Sequence, residues 1–337
     1  MKNKTKIYKI YSLIIKITII VLAFWFIYHR LFVKDNLDEA LLSFENLPGQ
    51  PFFIRTVLLI GLLMVLNWSL ESFKWRYLIR KIEKISFIKA FVAVLSGITV
   101  SVFTPNRIGE YAGRVFVLEK ANRWEAVLIT MLGSMSQLLI TVLAGLISFV
   151  FFADKYIDLP EDPGYFFYVL VLIIIILVVI LILLFFNVSF LTGFIGKLPG
   201  KLKKIRRYGR VFSFYSVNEL LILLLFSFSR YLVFVTQFFL LLGFFGVKMP
   251  YNQAFLLISL IYLVMAAIPT IALTELGIRG SVAIYFIGMY FEKHNYPVGA
   301  NDVSIIAAAS TLWLVNLAVP ALLGAIFIFK LKFFRKS

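Results

Sequence analysis

The sequence has no cysteine and only two histidines, His29 and His294, among its 337 residues. Zinc and iron centres draw on those side chains, so no metal site, no disulfide framework and no cofactor is expected. Charge is also scarce. Asp, Glu, Lys and Arg make up 15% of the chain, against ~25% in a soluble domain, and acids are half as common as bases, 17 against 34. Neither Gly193-x-x-Gly196 nor Gly277-x-x-Gly280 is followed by Gly-Lys-Ser/Thr, which excludes a phosphate-binding P-loop. What fills the chain is apolar: 61% hydrophobic residues and a mean hydropathy of +0.95. One water-soluble core cannot hide that excess, so the composition reads as a polytopic membrane protein and rules out a disordered chain. A net charge of +17 would suggest nucleic acid in a soluble protein. Here the bases lie between apolar runs, and no nucleic-acid partner is expected.

A spanning helix needs ~20 mostly apolar residues. Six stretches qualify: Ile10–Val33, Phe52–Leu70, Ala126–Phe152, Phe166–Phe186, Leu220–Phe245 and Val303–Phe329. Lys and Arg collect on the cytoplasmic side of membrane proteins. Lys2 to Lys9, the Lys74–Lys84 segment, the Lys197–Arg210 cluster and Lys330–Lys336 therefore read as inside, while the acidic loops Lys34–Gln50 and Asp154–Gly164 read as outside. The stretch Glu71–Ile85, mixing basic and apolar residues, is expected along the inner surface, with Trp68, Trp75 and Trp124 near span edges. The first span has no small-residue cleavage site and reads as an anchor rather than a signal peptide.

Two further apolar stretches decide the topology. If Phe87–Thr104 crossed fully, the charge rule would invert for the loops that follow as far as Lys197–Arg210. If Phe87–Glu119 enters from the cytoplasm and returns, every loop falls on its preferred side, and Ala254–Tyr290 becomes a hairpin entering from outside. The expected fold is an all-α polytopic protein with about six full spans plus two oppositely entering, broken re-entrant hairpins. Both termini are then cytoplasmic, in a single integral domain over residues 1–337 with half-repeats at about 52–186 and 220–329.

Each hairpin carries a break and a charge pair. The first has Pro105, Arg107, Gly109, Glu110, Gly113 and Arg114. The second has Pro269, Glu275, Gly277, Arg279 and Gly280. Proline removes a backbone donor and blocks a helix, and glycine permits turns or close approach, so Pro105, Gly109, Gly113, Pro269, Gly277 and Gly280 are the expected hinges. Glu110/Arg114 and Glu275/Arg279 share the i,i+4 spacing that stacks both side chains on one helical face. Charges at membrane depth are costly and mark sites, and opposed discontinuous helices meeting near the midplane frame the substrate in inverted-repeat transporters. A purely structural role for each pair, an internal salt bridge that lets the hairpin insert, is the competing reading. Arg230, near the middle of its span with Gln237 two turns on, joins the candidate site, with pairing to Glu219 or another internal acid as its structural alternative. Ser134, Ser136 and Gln137 read as hydrogen-bonding glue between helices, and Asn316 with Pro320 as a kink in the last span.

At these residues the chain resembles the flippase-like membrane domain of the lysylphosphatidylglycerol synthase family. Pro105, Gly109, Glu110 and Arg114 match a Pro-x-x-x-Gly-Glu-like segment with a nearby Arg. Gly277 and Arg279 match part of a Gly-x-Arg-Glu-like segment, with Gly280 where Glu is often found and Glu275 ahead of the glycine. Asn67-Trp68-x-x-Glu71-x-x-Lys74-Trp75-Arg76 is similar to the end of an early span. The resemblance implies a membrane domain that handles lipids, in some members moving aminoacylated phosphatidylglycerol between leaflets. Full-length synthases add a soluble aminoacyl-transferase domain. With apolar sequence running to Phe329 and eight residues beyond it, transfer chemistry is not expected here.

The resulting expectation is a lipid translocator of the plasma (inner) membrane, more a transporter than an enzyme. It would take an anionic or aminoacylated phospholipid or a lipid-linked headgroup. Arg107, Arg114, Arg279 and Arg230 would hold the anionic headgroup, and Glu110 and Glu275 would orient those arginines or recognise an amine. The alternative is a membrane-embedded lipid-modifying transferase or the membrane subunit of an aminoacyl-phosphatidylglycerol synthase. Expected partners are membrane lipids, a second copy of the chain, or a separate soluble transferase.

Overall fold

The computed structural model describes residues 50–156, 164–187, 210–268, 272–294 and 302–328, with a few helical positions between 11 and 21. The chain is an all-α polytopic membrane protein. Its helices are α1 (Gln50–Ile79), α2 (Phe87–Ser101), α3 (Gly109–Val115), α4 (Arg123–Tyr156), α5 (Gly164–Phe186), α6 (Val217–Phe244), α7 (Tyr251–Ala267), α8 (Ala272–Lys293), α9 (Asp302–Trp313) and α10 (Val319–Phe327). Among the described residues five segments are long and apolar enough to span: α1, α4, α5, α6 and the continuous Asp302–Phe327 rod. These coincide with five of the six expected spans. The first, Ile10–Val33, lies largely outside the described residues.

Local chemistry fixes where the helices start. Ser86 caps α2, accepting from the Lys89 amide at 3.2 Å. Ser216 and Glu219 form a reciprocal capping box at the start of α6, each satisfying an amide that the first turn leaves without an acceptor. The last rod carries a π-helical turn at Leu314–Ala318, just before Pro320. A proline inside a helix cannot donate to the carbonyl four residues back, and the widened turn absorbs that loss within the continuous rod.

Helix α4, ~50 Å long at 1.5 Å per residue, gives the two hairpins a common ruler. The first hairpin, α2 and α3, opens at its N-terminal end: the Glu83 carboxylate accepts from the amides of Glu119, Lys120 and Ala121 at 3.1, 2.7 and 2.9 Å. Lys89 binds Glu83 and Glu119 across the same mouth. The second, α7 and α8, opens at the opposite end, where Tyr156 bonds Gln253 at 3.3 Å and Lys293 donates to the Lys155 carbonyl. Both chains therefore return to the side from which they came, on opposite sides of the molecule. The end carrying Arg80, Lys81, Lys84, Lys89, Lys120 and Arg123 is called the basic end below.

The order span, hairpin, span occurs twice: α1, α2/α3, α4, and then α6, α7/α8, α9–α10. Helices α1 and α6 lie antiparallel, with Arg80 meeting Glu219 at one end and Phe53 meeting Phe244 at the other. Each hairpin's first arm packs on the span that follows the other hairpin. A Cβ on Gly324 of α10 would fall 2.2 Å from the Leu95 carbonyl of α2, and one on Gly145 of α4 would fall 2.4 Å from Leu263 of α7. Only glycine allows these two approaches.

One expected boundary is wrong. The segment Glu71–Ile79 does not lie along the surface; it continues α1. Lys74 and Trp75 are each 1% exposed and Trp68 5%, so Lys74 is not a topology signal and neither tryptophan sits in an interfacial belt. Trp75 donates instead to Thr130 on α4 at 3.0 Å. Trp124, 66% exposed, remains at the basic end as expected. The reason is the helical period: Asn67, Glu71, Lys74 and Leu78 share one face, and that face packs inward.

Candidate functional site

The tip of the first hairpin is built by its own sequence. Helix α2 ends at Ser101, a short 3-10 turn covers Pro105–Arg107, and Thr104 Oγ1 accepts from the Gly109 amide at 2.9 Å. Gly109 and Gly113 bring α3 against α2, since added Cβ atoms would stand 2.4 Å from the Val100 carbonyl and 2.6 Å from Gly97 Cα. Asn106 and Arg107 both have positive φ, 48° and 56°, a region that non-glycine residues adopt rarely and at a cost. This conformation delivers Arg107 to the second hairpin.

There Arg107 bonds both carboxylate oxygens of Glu275, at 2.9 and 2.7 Å. Arg279 binds the same carboxylate from one turn along α8. The oppositely entering hairpins thus meet through a buried acid shared by two arginines, one from each hairpin. The break before α8 falls before Ala272. Pro269 lies outside the described residues. Gly277 and Gly280 are not hinges, because both lie inside the continuous helix α8. Open space around Gly277 explains why a glycine there neither bends nor tightens the packing.

Glu110 and Arg114 pair within α3 as the spacing predicts. Arg114 also reaches Glu71 on α1, at 2.7 Å, and Glu71 gathers two more cations: Arg230 from α6 and Lys74, at 2.9 Å, from its own helix. The acid that pairs with Arg230 is Glu71. Glu219 serves Arg80 and Lys81 instead. Arg230 Nε donates to Asn67 at 2.8 Å, Asn67 to Asn316 at 3.2 Å, and Asn316 to Gln237 at 3.1 Å. Lys74 donates to the Gly133 carbonyl at 3.1 Å, and Ser136 and Ser227 bond each other at 2.8 Å beside it. Ser136 and Gln137 bridge α4 to α6 as expected, whereas among the described residues Ser134 bonds within α4, to the Thr130 carbonyl.

Two linked groups result. Arg114, Arg230, Lys74, Glu71 and Glu110 form one, and Arg107, Arg279 and Glu275 the other. Together they hold five cationic side chains against three carboxylates. Charges buried in this way are tolerated only when paired, and the surplus is positive. A cavity of about 540 Å³ lies against the second group, walled by Arg107, Glu275, Arg279 and Asn316 among apolar side chains that include Phe234 and Met265. Trp68, Trp313 and Gln137 also line it. Their indole N–H groups and the Gln137 Oε1 have no partner among the described residues.

All six expected charged residues are therefore brought together. Glu71, Lys74, Asn67 and Asn316 enter the same network without having been singled out for it. For the three on α1 the signal was the 67/71/74 spacing on one helical face, hidden because an apolar run stops at Leu70. Among the described residues no cluster of His, Asp or Glu is arranged to hold a metal ion. Residues 13–324 match a family model described as the lysylphosphatidylglycerol synthase TM region. No curated relative and no solved structure matches the chain.

Proposed function

The chain belongs to the lysylphosphatidylglycerol synthase family, matching its membrane region over nearly its whole length, and from that premise we propose that it translocates an anionic or aminoacylated phospholipid between leaflets. One observation carries the reading: Arg107 and Arg279, from opposed hairpins, share the Glu275 carboxylate at the wall of a 540 Å³ cavity. A lipid phosphate competes with Glu275 for those arginines, because a planar guanidinium fork binds two phosphate oxygens as readily as two carboxylate oxygens. The Arg107 side chain is 40% exposed and open to such exchange. Arg114 and Arg230 supply the positive field behind it, and Glu110, 23% exposed, is the acid available to an amine on an aminoacylated headgroup. Releasing Glu275 uncouples the two hairpin tips, and closing it again on the other side of the headgroup gives alternating access between two inverted halves. The charge rule favours a basic end facing the cytoplasm of the plasma membrane, and the lysines of the N- and C-terminal segments support cytoplasmic termini.

The test is reconstitution in liposomes containing fluorescent phosphatidylglycerol, native or lysylated, with leaflet exchange as the readout. Protein-dependent exchange is expected, falling at least tenfold in Arg107→Ala and in Arg279→Ala. Absence of exchange under every imposed gradient refutes translocation. Exchange that survives both substitutions refutes the site and leaves translocation standing.

A further inference from the structure

Helix α1 has a second chemical face. Asn67, Glu71 and Lys74 point into the bundle, while Phe73, Arg76, Tyr77 and Arg80, spaced i, i+3, i+4 and i+7, form a stripe on its other side. At the basic end this stripe, with Lys84 and Ile85 of the following loop and Phe226 of α6, encloses a groove of about 370 Å³. The body of α1 separates it from the central cavity.

The groove is apolar below and cationic above. Phe73, 43% exposed, Ile85 and Phe226 line it, and Tyr77 approaches Phe226 with ring centres 6.5 Å apart. Arg76 Nε donates to the Ile85 carbonyl at 3.1 Å, which fixes the guanidinium and leaves its two terminal nitrogens without an acceptor among the described residues. Arg80 stacks 3.8 Å over the Tyr77 ring while pairing with Glu219. Lys84, exposed, has no acidic partner among the described residues. Glu219, the nearby acid, is already shared between Arg80 and Lys81, so the groove keeps a positive surplus. Charges that serve only to orient a chain need be near the membrane surface and nothing more. Here three converge on one aromatic-walled recess, one of them held in place by a backbone acceptor.

We propose that this groove binds the phosphodiester headgroup of an anionic phospholipid from the leaflet at the basic end, as a site separate from the central cavity. Charge complementarity selects the occupant: Arg76, Arg80 and Lys84 meet the phosphate, and the Phe73, Ile85 and Phe226 walls meet the glycerol and the first methylenes. The proposal does not depend on translocation, since an accessory lipid site stands whether or not the central residues move lipid.

The experiment is native mass spectrometry of the full chain released from nanodiscs of phosphatidylcholine with a minority of phosphatidylglycerol, counting retained lipids and varying salt. Wild type retains phosphatidylglycerol in preference to phosphatidylcholine, and the preference falls as salt rises. Lys84→Gln, a change at an exposed loop position, lowers that preference about fivefold, the equivalent of ~1 kcal/mol for one charge near the surface. The Arg76→Gln/Lys84→Gln pair lowers it further, and Lys248→Gln, an exposed position in the loop between α6 and α7 at the opposite end, leaves it unchanged. Equal retention of both lipids by wild type, undiminished preference in Lys84→Gln, or an equal loss in Lys248→Gln would each overturn the proposal, whereas a loss in Arg107→Gln reports on the central site. Should the double variant fail to fold, Lys84→Gln decides by itself.

Discussion

Glu71→Gln tests the buried charge network most sharply. The substitution keeps the shape of the side chain and removes the one carboxylate that Arg114, Arg230 and Lys74 have in common. Deleting one partner of a buried pair costs ~3–5 kcal/mol, because the other charge is left uncompensated. Three cations are left facing each other here, with only Glu110 remaining to Arg114, so the upper end, ~5 kcal/mol, is expected. At roughly 2–3 °C per kcal/mol for a chain of this length, the midpoint of thermal unfolding in lipid nanodiscs should fall by ~10–15 °C. Tryptophan fluorescence is a suitable signal, since Trp68 and Trp75 are buried on the same helix. Lys74→Met removes one of the surplus cations while Glu71 keeps both arginines, so it should be nearly neutral or mildly stabilising. In the double variant the cation count drops with the lost acid, and more than half of the Glu71→Gln deficit should return, a coupling that only neighbouring groups display. Glu71→Gln unfolding within ~2 °C of wild type, or a double variant no better than the single, would refute the reading that charge balance holds this region together.

Gly324→Ala and Gly145→Ala should each destabilise the fold by ~1–3 kcal/mol through overpacking, while Gly61→Ala, which meets open space, should be neutral or gain up to ~1 kcal/mol from helix propensity; thermal unfolding of the three separates them. Burial raises the pKa of Glu83, but the hydrogen bonds from the Ala121, Lys120 and Glu119 amides, with Lys89 nearby, outweigh it and hold the pKa below the usual carboxylate value. Its contribution is thus fully present above the ordinary carboxylate pKa and is lost as pH falls through the lower folded value. Amide exchange at residues 119–121 should speed up in that acid window, and Glu83→Gln should speed it at neutral pH and flatten the dependence.

The hairpins were legible because their polar residues interrupt apolar runs next to prolines, and loop charges fixed the sides from which they enter. Arg107, Glu110, Arg114, Glu275 and Arg279 follow from the same interruption. Which arginine meets which acid was not legible, since the Arg107–Glu275 contact spans 168 positions and depends on two tips reaching one depth. Glu71 and Lys74 misled for a physical reason. A Lys after an apolar run looks the same whether its helix stops at the surface or continues with its charges turned inward, and only the face-by-face spacing of 67, 71 and 74 against 73, 76 and 77 distinguishes the two. Gly277 and Gly280 misled because a glycine in a helix signals a bend only when something needs the space.

The crossed seating of the hairpins, with Gly324 against α2 and Gly145 against α7, means neither half owns a complete wall. Severed between α5 and α6, each fragment would carry a re-entrant loop whose backing was left on the other piece, and neither should survive extraction alone. Produced together, the pieces should find each other and fold as one, so that evolution could reshape either half only with the consent of its counterpart.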